Sequence, residues 1–425
     1  MKRLAIFLLA AGMFPALQLQ AQSSGSTTFF LDNYVYSYRF NPAEQNNGGT
    51  KGFFGFGIDN IYLGAHSNLG VSNVIFQQDG KLVTGLHESV PADKALSGLK
   101  PLNKVNFNFN ENLLTVGFRS KESLISFEVN LRSDEYTSVP KDLFSLLKNG
   151  TDDESYFIND MHFNSSNYLE AAFGYSRKIE NLTVGGRLKA LLGYYEIGIN
   201  LDKAGAVSRG GQMDVTGKGD VYMAQNILEM DDDLELGDFN SLKPAGFGMA
   251  LELGATYDLD KFHLSLGLLD LGAVSWKRNA VGKIDYNGTI QGDSEGDLEE
   301  YVDIHKIDNP SGTLCALSPV VNAGARYQVS KIFSAGATVT SRFSKFNPFF
   351  EARLGATLSP AKFFSLAATA GYGNFGPCIG AAMSLNFPIV NFFIATDGIF
   401  TRVTPQYVPV KPLNTSLNLG LAIAF

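Results

Sequence analysis

LNLGLAIAF, residues 417–425, alternates without a break: Leu417, Leu419, Leu421, Ile423 and Phe425 share one phase, and Asn418, Gly420, Ala422 and Ala424 the other. A period of two residues belongs to a β-strand with one greasy face and one small or polar face. The sequence ends on this strand, with an aromatic side chain beside the terminal carboxylate, where most domains fray.

The same period dominates from about residue 106 onward. Ile125, Phe127, Val129 and Leu131 oppose Ser126, Glu128, Asn130 and Arg132; Met249, Leu251, Leu253 and Tyr257 oppose Ala250, Glu252, Gly254 and Thr256; Phe350, Leu354 and Leu358 oppose Glu351, Arg353 and Thr357. A soluble sandwich would alternate too, so the connections must decide. Tight turns fall at Ser120–Ser123, Arg177–Asn181, Asp258–Lys261, Ser330–Lys331, Ser359–Lys362 and Phe387–Asn391, while longer polar stretches cover Ser133–Phe163, Asp202–Lys243 and Lys277–Thr313. Counting runs predicts about 14 strands, starting near Lys51, Asn106, Ser123, Asn164, Leu182, Ala245, Phe262, Ser318, Phe333, Pro348, Phe363, Cys378, Phe392 and Asn414. The first of these is the least marked, and the run from Phe392 is weak in either phase. Tight and long connections then sit on opposite rims, the asymmetry of a bacterial outer-membrane up-and-down antiparallel β-barrel. The final strand must pair with the first, so that no unsatisfied edge meets lipid. The expected fold class is therefore all-β, a transmembrane barrel over residues 50–425.

MKRLAIFLLAAGMFPALQLQAQ has a basic start, an apolar stretch from Leu4 to Leu17 and a small residue at Ala21, which predicts a cleaved signal peptide over 1–21 and export. Without Lys2 and Arg3 the 34 basic residues fall to 32 against 42 acidic ones, a net charge of −10 that disfavours nucleic acid as a partner. Two cysteines, Cys315 and Cys378, are too few for a disulfide framework; left unpaired or joined as one loop staple, they suit the unpaired reading better.

The phase opposite the apolar one places Arg119, Glu128, Arg132, Glu170, Arg187, Lys189, Glu252, Arg326, Arg342, Glu351 and Arg353 in the lumen. Two readings stay open. These charges form cross-strand ion pairs that stiffen the wall, or their basic surplus holds the head group of an anionic amphiphilic ligand, unless the external loops neutralise it. The acidic stretches EMDDDLELGD from Glu229 and DSEGDLEEYVD from Asp293 read as solvated loops, because a calcium loop needs glycine where Leu236 stands. KDLFSLLKNG from Lys141 predicts a short helix.

Other motifs carry no chemistry. GYGNFG, residues 371–376, has the spacing of a dinucleotide fingerprint but is followed by Pro377 and another alternating run, so it reads as a strand-to-strand tip. The histidines show no metal spacing. His263 and Ser265 share a strand face, yet a hydrolase also needs an orienting third group. No enzyme activity, metal or cofactor is expected.

Before the first strand, YRFNPA places Asn41 and Pro42 in a turn. With GFGIDNIYLGAHSNLGVSNVIF, residues 55–76, and the closing strand, this resembles an uncharacterised family of outer-membrane barrels related to the long-chain fatty-acid transporter. The resemblance implies a 14-stranded barrel with an N-terminal hatch, here residues 22–49, in which Asn41, Pro42 and Ala43 form the hatch motif. It also implies passive passage of hydrophobic small molecules. The transporter's kinked strand and ligand pocket have no counterpart legible in this sequence. Leu421, Ile423 and Phe425 are similar to the assembly signal of outer-membrane barrels, which implies the barrel assembly machinery and outer-membrane lipid as partners in a Gram-negative bacterium. The other expectation is a secretion-associated or surface scaffold barrel that holds a protein partner through its external loops.

Overall fold

The computed structural model describes residues 25–45, 50–78, 80–150, 154–209, 212–224, 228–230, 234–236, 243–291, 302–307, 310–399 and 414–425. The signal peptide expected over 1–21 lies outside them, as do residues 22–24 and 46–49 of the hatch and most of the acidic stretch from Asp293.

Fourteen strands form the wall: β1 (Gly52–Ser67), β2 (Leu102–Ser120), β3 (Ser123–Pro140), β4 (Met161–Ile179), β5 (Leu182–Arg209), β6 (Gly246–Leu259), β7 (Phe262–Lys277), β8 (Val320–Gln328), β9 (Phe333–Arg342), β10 (Phe349–Ala361), β11 (Phe364–Gly373), β12 (Gly376–Asn386), β13 (Val390–Thr396) and β14 (Asn414–Ala424). Each pairs antiparallel with the next. β14 closes on β1 with Phe53 opposite Ala424 and Leu63 opposite Leu417. At the seam the Gly52 N–H donates to the Phe425 carbonyl at 2.8 Å, and the Phe425 N–H to the Gly52 carbonyl at 2.9 Å.

Burial inverts across this wall as the alternation requires. Leu354 is 70 % exposed while its neighbour Arg353 is 2 % exposed, so the large apolar phase faces outward and the charged phase inward. The outer face carries Phe127, Phe173, Leu188, Met249, Leu253, Leu266 and Ile379. A ring of aromatic side chains, among them Phe118, Tyr175, Tyr257, Phe262, Tyr327, Phe333, Phe363, Phe387 and Phe425, stands exposed beside the tight turns. Such a girdle marks the level where hydrocarbon meets water, and the molecule is an outer-membrane-type β-barrel.

The tight turns are where the alternation placed them. Three are two-residue links whose first member, Lys121, Glu180 or Asp260, has φ of 50°, 54° or 50°, the left-handed entry that matches the twist of a hairpin. The opposite rim differs from expectation. β3 runs on to Pro140 and β5 spans 28 residues, roughly 90 Å at a strand's rise. The outer part of β5 pairs with 212–224, which pairs with 280–291 and so with 302–306. These stretches read as loops because no lipid meets the projecting sheet and its alternation carries few large apolar residues. The expected helix is present at Lys141–Asn149, and GYGNFG is a tip between β11 and β12.

Two bulges re-aim the wall. In β7 two ladder steps on β6, from Leu251 to Leu253, face three on β7, from Leu271 to Leu268. Asp270 takes φ 56° there, so the inward phase shifts from His263, Ser265 and Gly267 to Asp270, Val274 and Trp276. In β1, Phe56 and Asn60 pair with Leu114 and Asn112, which leaves residues 57–59 bulged, with Gly57 at φ 78°.

Candidate functional site

Residues 25–45 fold inside the tight-turn half of the barrel as a hatch. Their aromatic side chains make the molecule's main apolar core: Phe29, Phe30, Leu31, Tyr34, Val35, Tyr36, Tyr38 and Phe40 pack with Phe53, Leu124 and Phe393 of the wall. Polar groups fix the segment on all sides. The Thr27 N–H donates to Asp397 Oδ1 at 2.8 Å, Asn322 Nδ2 to the Phe40 carbonyl at 2.9 Å, and Tyr38 Oη to Glu128 Oε1 at 2.7 Å. Burying the hatch's polar backbone is tolerable only because partners of this kind satisfy it.

The hatch motif is bound tightly. Asn41 Nδ2 donates to the Ala255 carbonyl at 2.9 Å and to Ser265 Oγ at 2.8 Å, while Asn41 Oδ1 accepts the Ala43 N–H at 2.9 Å. A Cβ on Gly254 would strike Asn41 Oδ1, and one on Gly185 would strike the Pro42 carbonyl; glycine lets the turn lie flat on the wall. Next along, Glu44 reaches His263 Nε2 at 3.0 Å, and His263 Nδ1 lies 2.7 Å from Asp258 Oδ1. His263 and Ser265 thus serve the hatch and do not bond each other.

Above the hatch a deck of charges crosses the lumen. Arg39 of the hatch donates through Nε to Glu128 Oε1 at 2.9 Å, and Arg187 bridges Glu128 and Glu252, the latter at 2.9 Å. Lys189 joins Glu252, Glu170 at 3.1 Å and Asp270 at 2.9 Å. Arg132 closes the chain with Asp270, its Nη1 and Nη2 donating at 2.9 and 2.6 Å, and with Glu170 at 3.5 Å. The four acids and four bases of the deck neutralise one another, and each is at least nine-tenths buried.

Among the other residues expected to face a ligand, Arg353 is spent on Glu351 at 2.6 Å and Thr369 at 3.2 Å. Arg326 clasps the hatch through Asp32 at 3.2 Å and the Phe29 carbonyl at 3.3 Å, and Arg119 bonds the Gln45 carbonyl. Arg342 is buried, its Nε has no hydrogen-bond partner, and Asp134 is the acid acting most on its charge. Arg342 lines a cavity of about 180 Å³ beside the deck, with Arg132, Asp134, Tyr168 and Trp276. Leu421, Ile423 and Phe425 lie on the exposed outer face of the closing strand.

Sequence reasoning missed Arg39, because the hatch lacks a strand phase, and Asp270, because the bulge moves it inward. An acid inside the apolar run Leu268-Leu269-Asp270-Leu271 was the available signal. Cys315 and Cys378 are free thiols; Arg278 Nη2 donates to Cys315 Sγ at 3.2 Å, and Cys378 Sγ donates to Glu351 Oε2 at 3.4 Å. Of the acidic stretch from Glu229, expected as a solvated loop, residues 229–230 and 234–236 are described, and Leu228–Met230 pairs antiparallel with Leu234–Leu236.

Among solved structures the chain is similar to the toluene transporter TbuX of Ralstonia pickettii, with 9% identity over 96% of this chain and 100% of that one and a TM-score of 0.48. It is similar to the toluene transporter TodX of Pseudomonas putida, with 11% identity, 96% and 98% coverage and a TM-score of 0.47. It is also similar to the COG4313 outer membrane channel of Pseudomonas putida F1, with 10% identity, 88% and 96% coverage and a TM-score of 0.33. No curated protein matches it. A family model covers residues 42–397, from within the hatch motif to the end of β13, and the chain belongs to that family, the family of unknown function DUF5723.

Proposed function

We propose that this protein binds hydrophobic, fatty-acid-like small molecules and passes them inward across the outer membrane of a Gram-negative bacterium without an energy source. The observation that carries this reading is the hatch. An aromatic cluster of Phe29, Phe30, Tyr34, Tyr36, Tyr38 and Phe40 is packed inside the lumen against Phe53, Leu124 and Phe393 of the wall, below a deck of charged side chains. A purely structural barrel could fill its lumen with ion pairs alone. Passage needs no catalytic group and no cofactor. It needs an apolar resting place and a plug that prevents free leakage.

A second reading rests on a different observation, the antiparallel sheet of 196–209, 212–224, 280–291 and 302–306 that projects beyond the barrel. Its area suits a scaffold that holds a protein partner at the cell surface. Gentle purification followed by extraction of bound small molecules separates the two. A bound hydrophobe supports uptake, whereas an empty lumen with a stoichiometric co-purifying protein refutes uptake in favour of the scaffold.

A further inference from the structure

We propose that the cavity beside the charge deck binds the carboxylate of a small organic acid, with Arg342 as the receiving group. This deepens the uptake reading, on which it rests for the acid's apolar body, and assigns the ligand a charged end.

Every other charged group on the cavity wall is already answered within the protein. Arg132 is held by Asp270 and Glu170, and Asp134 lies 3.8 Å from Arg132 Nε and accepts Asn108 Nδ2 at 3.3 Å. Glu196 accepts Arg278 Nε at 2.8 Å and Nη2 at 3.0 Å, and Glu135 hydrogen-bonds Ser165. Arg342, at 7 % exposure, differs: Asp134 acts on its charge, but its Nε has no hydrogen-bond partner, and Tyr168 Oη and Arg132 Nε, on the same wall, likewise have none. Two of these three atoms are guanidinium nitrogens, which only donate, and the phenol can donate too, so one acceptor would answer them. A buried guanidinium without one is costly.

The chemistry of the acceptor follows from what surrounds it. A planar fork matches a carboxylate through two parallel hydrogen bonds. Asp134 and Glu196 nearby disfavour a dianion such as phosphate. Trp276, Tyr222 and Phe346 supply ring surface for an apolar body, and the volume of about 180 Å³ is that of a benzene-sized molecule. Of the charge deck Arg132 lines this cavity, so the acid rests beside the deck with its carboxylate on Arg342.

Trp276 is the single tryptophan of the chain and lines this cavity, so its emission reports occupancy. The full-length barrel in detergent is titrated with benzoate, with its neutral analogue benzamide and with inorganic phosphate. Benzoate is expected to change the Trp276 emission saturably, benzamide to bind at least tenfold more weakly, and phosphate not to compete. Arg342→Gln is expected to weaken benzoate at least tenfold, and Arg342→Lys, which keeps the charge but loses the fork, by an intermediate factor. The proposal is overturned by benzamide binding as well as benzoate, by phosphate displacing it, or by Arg342→Gln titrating like the parent. Should Arg342→Gln fail to fold, as judged by heat-modifiable migration, Arg342→Lys decides alone, and unchanged affinity there sinks the site. A hydrophobe that still co-purifies while benzoate fails to bind removes the carboxylate site and leaves the uptake reading intact.

Discussion

Replacing Asp270 by Asn tests whether the charge deck holds the barrel together. Asparagine keeps the shape and accepts the φ of 56° that most side chains resist, so the substitution removes charge without disturbing the bulge. Asparagine offers one acceptor oxygen where aspartate offers two, so the contacts of Arg132 at 2.9 and 2.6 Å and of Lys189 at 2.9 Å cannot all survive, and those that do lose the charge assistance. Removing one partner of a buried pair costs about 3–5 kcal/mol. Glu170, 3.5 Å from Arg132 and 3.1 Å from Lys189, remains to absorb part of the surplus, so the lower end, about 3 kcal/mol, applies. That is a factor of about 100 in the folding equilibrium, and for a chain of this length a fall of about 3–4 °C in the unfolding midpoint. The assay is the temperature at which the barrel loses its compact migration on a detergent gel. In the double variant with Lys189→Met the unpaired cation is gone, and part of the loss should return as a coupling of about 1–3 kcal/mol. A midpoint equal to the parent's for Asp270→Asn, or strictly additive losses in the double variant, would refute the reasoning.

Gly254→Ala puts a methyl group where Asn41 Oδ1 lies; a cost of about 1–3 kcal/mol falls on the hatch, and residues 25–45 should become sensitive to protease while the barrel stays heat-modifiable. Asn41→Ala deletes the bonds to Ala255 and Ser265 at about 1 kcal/mol each, with the same signature measured by hydrogen exchange. His263→Ala separates Glu44 from Asp258, and should loosen the hatch near Glu44 more than near Thr27, a gradient that exchange mass spectrometry resolves. Phe425→Ala removes a ring 5.9 Å from that of Phe118 at the seam and should lower the yield of assembled barrel in membranes several-fold, with the unassembled chain accumulating.

The wall was legible because lipid enforces one rule on every strand. Large apolar residues such as Phe127, Leu253 and Leu354 must face out, so the phase of each run could be read and the turns between runs counted. The rule lapses beyond the membrane, which is why 212–224 and 280–291 read as loops. It also fails at bulges, since one added residue at Asp270 reverses the phase of everything after it in β7. The lumen's identity was legible and its pairing was not. Arg187, Arg353 and Arg342 look alike in sequence, yet only the fold shows that Glu128 and Glu252 pair with the first and Glu351 with the second, while the Nε of the third is left without a hydrogen bond.

The hatch is anchored by residues as distant in sequence as Asp397, Thr369, Ser265 and Glu128, which approach one another only in the finished cylinder. No subset of adjacent hairpins offers its full docking surface. The complete socket for this amino-proximal plug therefore exists only in the sealed cylinder, so anything that opens the seam also takes away part of what corks the bore.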